Sequence, residues 1–298
     1  MLFGPFLRHD LFDLVRSFGG VGTSGLSIHL ARQVVSIIMK MHDKKVAHKD
    51  IKLELVHFDA DYNCKLTGFT HCLPTHGADH LPRPTKHPGG TAAYAAPEAV
   101  AKLEHDPAKA DMWSLGVLLF ILVIGRPPCK IADESDTWFQ CLKRRNASEM
   151  DEFWTKHMGA SKIKIDENAK NFRMLVDSLL QVNPLRRAGI DSVVRSKWLC
   201  TVCPSQDKCR GFIKTMMGRL FTKARQVQDG TYMQEQKMES YQELGAGAHA
   251  HAHAPAHSVS TPTVPSGRLT ESDGGSAQGM RSGTATADGV SSKPKADT

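Results

Sequence analysis

The clearest pattern along the chain is a run of apolar residues at helical spacing. Leu26, Leu30, Val34, Ile37, Ile38 and Met41 recur every three or four positions, which predicts one amphipathic helix. A second run, Asp111 to Ile124, is apolar nearly all round and predicts a helix buried on every side, opening at Asp111 and ended by Gly125-Arg126-Pro127-Pro128. Further helices are predicted around Thr137–Leu142 and after Asp166-Glu167-Asn168, where Phe172, Leu175, Val176 and Leu179 share a face. Between the first two helices the pattern changes. Val56-His57-Phe58 and Cys64-Lys65-Leu66 alternate around a polar turn, as a β-hairpin does. Past residue 245, Ala-His alternation gives way to Ser, Thr, Gly and Pro with almost no large apolar side chain, so that tail predicts no packed structure.

The hairpin sits in a recognisable setting. It follows His48-Lys49-Asp50-Ile51-Lys52-Leu53-Glu54-Leu55 and precedes Thr67-Gly68-Phe69-Thr70. These strings resemble the catalytic loop and the D-F-G entry of protein kinases. Gly90–Glu98 resembles the end of an activation segment with its A-P-E motif, Asp111–Val117 the start of the central large-lobe helix, and Asn183–Arg187 the D-P-x-x-R motif. Motifs arriving in family order carry more weight than any one string. The resemblance spans residues 1–199 and implies a mainly α fold: a kinase-like C-terminal lobe with a short β-hairpin at the catalytic loop. Residues 1–9 match a hinge remnant, and the N-terminal lobe with its glycine-rich loop is expected to be missing. Gly19-Gly20-Val21-Gly22 lies between two helices and reads as a loop, not a phosphate cradle.

The resemblance assigns roles residue by residue. Asp50 matches the base that orients a substrate hydroxyl, Lys52 the lysine that neutralises the transferred phosphate, and Thr91 the threonine that bonds both in the serine/threonine class. Lys49 stands where an arginine often clamps a phosphorylated segment, and keeps the charge without the bidentate fork. Asp10 matches an acid that can touch ribose or a substrate, and is equally an N-cap for the helix beginning at Leu11. Glu54 and His57 fall beside the nucleotide position. His48, Phe69, Glu98, Asp111 and Arg187 match structural positions, with Glu98 and Arg187 expected to pair and Asp111 to accept bonds from the catalytic-loop backbone. Two positions depart. Leu55 stands where an Asn would hold magnesium, and Gly68 where an Asp would. ATP and Mg are therefore implied by resemblance alone, with no metal ligand at either place.

Charge and cysteine usage change this picture little. The net charge is +7, but the basic residues are scattered and lack aromatic interleaving, so no nucleic-acid partner is expected. No stretch reaches the ~18 uninterrupted apolar residues of a membrane span, and Met1–Phe6 lacks the basic start of a signal peptide. Seven cysteines without a regular framework suggest a reducing, cytoplasmic setting. His71, His76, His80 and His87 with Cys72, and Cys200, Cys203 and Cys209, follow no closed zinc spacing.

A basic helical extension is expected over 200–244, before the low-complexity tail of 245–298. Within 208–226, Phe212, Met216 and Phe221 lie among Lys208, Arg210, Lys214, Arg219, Lys223 and Arg225. This is either a calmodulin-target pattern or a helix packed on the lobe. Three readings of function follow: a truncated pseudokinase binding a protein partner, a residual serine/threonine kinase, or a fragment of a longer kinase.

Overall fold

The apolar run ending at Ile124 builds the centre of the molecule. In the computed structural model, which describes residues 6–23 and 25–228, the elements are taken in chain order. β1 is Phe6–Asp10, α1 Leu11–Phe18, α2 Gly25–Asp43, β2 Val46–Ala47, β3 Val56–Asp59, β4 Cys64–Leu66 and β5 Leu73–Pro74. Then follow α3 Pro97–Val100, α4 Pro107–Ile124, α5 Thr137–Arg144, α6 Ala147–Ala160, α7 Glu167–Leu179, α8 Ile190–Val194, α9 Lys197–Cys200 and α10 Gln206–Gln228. The tail from residue 245 lies outside the described residues, as do residues 1–5 of the expected hinge remnant.

Helix α4 is 18 residues long and apolar enough to cross a bilayer by composition, yet 89% of it is buried inside the lobe. Trp113, Leu115, Val117, Leu118, Leu119, Phe120 and Leu122 are all sealed from water. Each such side chain contributes about 1.5–3 kcal/mol on burial, so this helix is the nucleus that the others cover. It begins four residues earlier than the apolar run suggests. Asp106 caps it by accepting from the Ala108 and Lys109 amides at 2.8 and 3.4 Å, and Pro107 occupies the first turn. That pair is an ordinary start signal, hidden because the apolar pattern starts later.

The far end of α4 explains the glycine cluster. The last carbonyls of a helix lack intrahelical donors. Val21 N donates to Leu122 O at 2.9 Å, Gly22 N to Val123 O at 3.1 Å, and Ser161 Oγ to Ile124 O at 2.6 Å. The approach needs bare backbone: a Cβ on Gly20 would stand 2.6 Å from Val123 O.

Helix α2 presents Leu30, Val34 and Ile38 to this core, with Ile28, Ala31 and Val35 widening the face. The expected hairpin forms, with Val56 opposite Leu66, His57 opposite Lys65 and Phe58 opposite Cys64. With β1 it makes a three-stranded antiparallel sheet in the order β1-β3-β4, and β2 pairs with β5. Helix α6 was not separately predicted, although Met150, Phe153, Trp154, His157 and Met158 recur at helical spacing and are buried. Its cap is Asn146, the first residue of a glycosylation-type triplet.

Helix α10 corrects the expected anchors. Cys209, Ile213, Met217 and Leu220 form its buried stripe, while Phe212 is 59% exposed and Met216 partly buried. The helix packs on α2 and α1. The side chains of Phe221, Lys223 and Arg225 lie outside the described residues.

Candidate active site

The turn between β2 and β3 carries the polar residues that matter, and α4 holds it in place. Asp111, 1% exposed, accepts from His48 N at 2.7 Å and Lys49 N at 2.8 Å. His42 Nε2 approaches the same carboxylate at 3.0 Å. A buried carboxylate needs such partners, and here they fix the loop backbone. His48 is sealed in the same way. Its Nε2 donates to Thr67 O at 2.9 Å, leaving Nδ1 to accept from Asp50 N at 3.3 Å. Burial, the largest influence, lowers its pKa from the usual histidine value. Phe69, 38% exposed, meets the His48 ring edge-on at 5.5 Å.

Asp50, Lys52 and Thr91 come together as the resemblance implies. Thr91 Oγ1 donates to Asp50 Oδ1 at 2.9 Å. Lys52 Nζ lies 3.1 Å from Asp50 Oδ2 and donates to Thr91 Oγ1 at 2.6 Å. Each carboxylate oxygen thus has one partner, which fixes its orientation while leaving lone pairs that could accept from a substrate hydroxyl. Gly90, just before Thr91, matters more than its place in the motif suggested: a Cβ there would collide with the Asp50 carboxylate. The 3-10 turn Ala92–Tyr94 follows, and Ser114 Oγ of α4 donates to Tyr94 O at 2.8 Å.

The lower tie is also formed. Arg187, 2% exposed, donates through Nη1 to Glu98 Oε1 at 2.6 Å and through Nη2 to Glu98 Oε2 at 2.9 Å. It further donates to the carbonyls of Gln181, Lys109 and Val182. This arrangement is bidentate and saturated, as a buried ion pair requires.

Other assigned residues are occupied elsewhere. Asp10 is the cap of α1, accepting from Asp13 N at 2.9 Å while Asp13 accepts in return from Asp10 N. Glu54 accepts from Tyr94 Oη at 3.2 Å. His57 sits partly buried at the middle of the sheet, opposite Lys65 and Asp10. Lys49 is turned into the protein, contrary to a clamp facing an incoming phosphate. Its Nζ donates to His105 Nε2 at 2.6 Å, and His105 Nδ1 donates to Leu103 O at 2.7 Å. Burial, the first cause for both, lowers the pKa of each. Nothing local in the sequence connects these two residues.

The two metal positions do not fit a cation. Leu55 and Gly68 offer no side-chain donor, and they are in contact. Gly68 has a left-handed φ of 79°, and a Cβ built on it would stand 2.5 Å from Leu55 Cδ1. Leu55 itself packs on the hydrophobic core. Magnesium bound between a nucleotide and this cleft would lack both ligands the family supplies. Among the described residues, no three His, Cys, Asp or Glu side chains gather as a metal ion would need.

Comparison with known proteins agrees with the geometry. The family model "Protein kinase domain" matches residues 2–199. The chain is 31% identical over 204 residues to the human SNF-related serine/threonine-protein kinase, covering 66% of this chain and 23% of the relative. It is 30% identical over 195 residues to mouse testis-specific serine/threonine-protein kinase 2, covering 65% and 50%. It is 31% identical over 169 residues to CBL-interacting serine/threonine-protein kinase 7 of Arabidopsis thaliana, covering 56% and 35%. The chain thus spans at most half the length of these curated relatives. On the family match, the motif order and the assembled Asp50, Lys52 and Thr91, this chain belongs to the protein kinase superfamily, serine/threonine type.

Proposed function

We propose that the chain is a pseudokinase: a kinase-family lobe that binds a protein partner and no longer transfers phosphate. The single observation that carries this reading is the contact between Leu55 and the place of a Gly68 side chain. A lost ligand could be replaced by a neighbour or by water. A leucine packed into the ligand space removes that option, because a hydrated divalent cation is poorly accommodated against hydrocarbon. Metal neutralisation supplies several kcal/mol to phosphoryl transfer, and losing about 6 kcal/mol leaves about four parts in a hundred thousand of the rate.

A second reading, a residual serine/threonine kinase, is favoured by the retained Asp50–Thr91–Lys52 set. One experiment separates them. Purified protein is incubated with Mg and γ-labelled ATP and a mixed protein substrate, beside Asp50→Asn. Equal background incorporation in both supports the pseudokinase; turnover abolished by Asp50→Asn sinks it.

The binding role extends to the basic helix over 208–226, read as a calmodulin-target segment. Its support is an exposed face carrying Lys208, Lys214 and Arg219 beside exposed Phe212. An acidic, Met-rich groove suits that composition.

A further inference from the structure

A lysine and a histidine share a buried bond that only one protonation state of the ring allows. Lys49 of the catalytic loop is 6% exposed, and His105, just before α4, is 5% exposed. His105 Nδ1 donates to Leu103 O at 2.7 Å, so Nε2 carries no hydrogen and accepts from Lys49 Nζ at 2.6 Å. A second proton on the ring would turn Nε2 into a donor and set two cations face to face. The bond could not survive that.

The acids around the pair already serve other groups. Glu98 of α3 is held by Arg187 and Asp106 by the Ala108 and Lys109 amides. Asp111 of α4 is held by the His48 and Lys49 amides and by His42. Burial is the largest influence on His105 and lowers its pKa from 6.5; Lys49 adds to this, while the Leu103 bond, Glu98 and Asp106 oppose it.

The pair also closes a ring of chain. Thr85 N donates to His105 O at 2.9 Å, and His105 N to Thr85 O at 3.0 Å. Gly90 N donates to Lys49 O at 3.1 Å. Segment 85–90 is thus anchored at one end on His105 and at the other on Lys49, and the side-chain bond joins its two anchors. Between them, Thr85 Oγ1 accepts from His87 N at 3.0 Å and His87 Nδ1 from Gly89 N at 3.1 Å. The approach to the loop is close: a Cβ on Gly89 would stand 2.4 Å from Lys49 O. Lys86 and His87 point to solvent, the His87 ring lying 5.5 Å from that of His71. Gly90 lies against the Asp50 carboxylate and Thr91 donates to it, so the seating of the segment and the orientation of Asp50 are linked.

We infer that Lys49 and His105 form a pH-operated latch: protonation of His105 breaks their bond and releases segment 85–90 from the catalytic loop. The latch is closed above pH 6.5, where the ring is neutral even when freed. It opens as pH falls below that value, because the released ring binds a proton more readily than the buried one. It works the same way whether or not the Asp50 cleft transfers phosphate.

The test is hydrogen exchange of the full chain, read by mass spectrometry at about pH 7.5 and about pH 5, on either side of the free histidine value, with labelling times scaled to the intrinsic rate at each pH. Peptides covering 83–91 and 103–106 should lose protection at least about fivefold on acidification, while those of α4 keep theirs. His105→Gln offers Lys49 an acceptor that takes no proton, and Lys49→Gln gives His105 an uncharged amide that can pair with either ring state. Both variants should keep the segment protected in acid, and His87→Ala should respond as the wild type does. Melting curves at the higher pH establish that each variant folds. In the wild type itself, NMR of the histidine rings should place the His105 titration at the midpoint of the loss of protection. Retained protection in the acidified wild type overturns the latch, as does a loss shared equally by α4, which is global unfolding. An undiminished loss in either folded glutamine variant, its disappearance in His87→Ala, or a His105 titration displaced from that midpoint overturns it too.

Discussion

Leu55 occupies the space that a side chain at position 68 would need: an ideal Cβ on Gly68 falls 2.5 Å from Leu55 Cδ1 and 2.9 Å from Cδ2. The two positions are therefore coupled: a side chain at 68 needs the leucine at 55 to be displaced or replaced, whereas position 55 can change alone. The coupling is measurable. Gly68→Ala meets both overpacking, about 1–3 kcal/mol, and a left-handed φ, about 1–2 kcal/mol. In a Leu55→Ala background only the second penalty remains. Urea unfolding of the wild type, both single variants and the double variant should give a coupling energy of about 1–3 kcal/mol. Additive effects would show that the leucine moves aside freely.

Arg187 and Glu98 make a second prediction. Arg187→Ala strands a buried carboxylate and also removes donors from three carbonyls. A loss of about 3–5 kcal/mol is expected in chemical denaturation. Arg187→Lys should recover only part of it, since one ammonium cannot reproduce the fork. A loss under about 1 kcal/mol for the alanine variant would mean that the pair is no more than a surface bridge.

His157 gives a pH dependence. It is buried among Phe120, Trp138 and Phe153, with Nδ1 donating to Phe153 O at 2.7 Å. Burial first, opposed by that hydrogen bond and reinforced by Arg126, lowers its pKa to about 4 from 6.5. The folded state therefore resists a proton that the unfolded chain accepts. Stability from this group is present above pH 6.5 and is lost as pH falls from there toward 4, about 2 kcal/mol between pH 7 and pH 5. His157→Gln should flatten that part of the urea midpoint profile; an unchanged slope would remove His157 as its source.

The calmodulin reading predicts a difference between peptide and protein. A peptide of residues 208–226 should bind calcium-loaded calmodulin in calorimetry. Full-length protein should bind more weakly, because Cys209, Ile213, Met217 and Leu220 are buried against the lobe and must first be released. No calcium-dependent heat at tens of micromolar peptide would make α10 a packing element only.

What the sequence determined by itself was local or motif-bound. The spacing of Leu30, Val34 and Ile38 marks a buried helix face wherever that helix lies, and the alternation around Phe58 marks a strand. Motif order brought Asp50, Lys52 and Thr91 to one site and matched Glu98 with Arg187, because those strings carry positional meaning that periodicity lacks. The start of α4 was also legible in Asp106-Pro107, but the apolar run drew the boundary to Asp111. Only the tertiary structure decided the rest. The Leu55–Gly68 contact, the burial of Lys49 against His105 and the capping of α4 by Val21 and Gly22 all join residues with no local relation. On α10 two apolar stripes compete, one through Phe212 and Met216, the other through Cys209, Ile213, Met217 and Leu220. Periodicity is equally satisfied by both, and the shape of the α1–α2 surface selects the second. Packing complementarity has no period along the chain, so it becomes visible only once the helices meet.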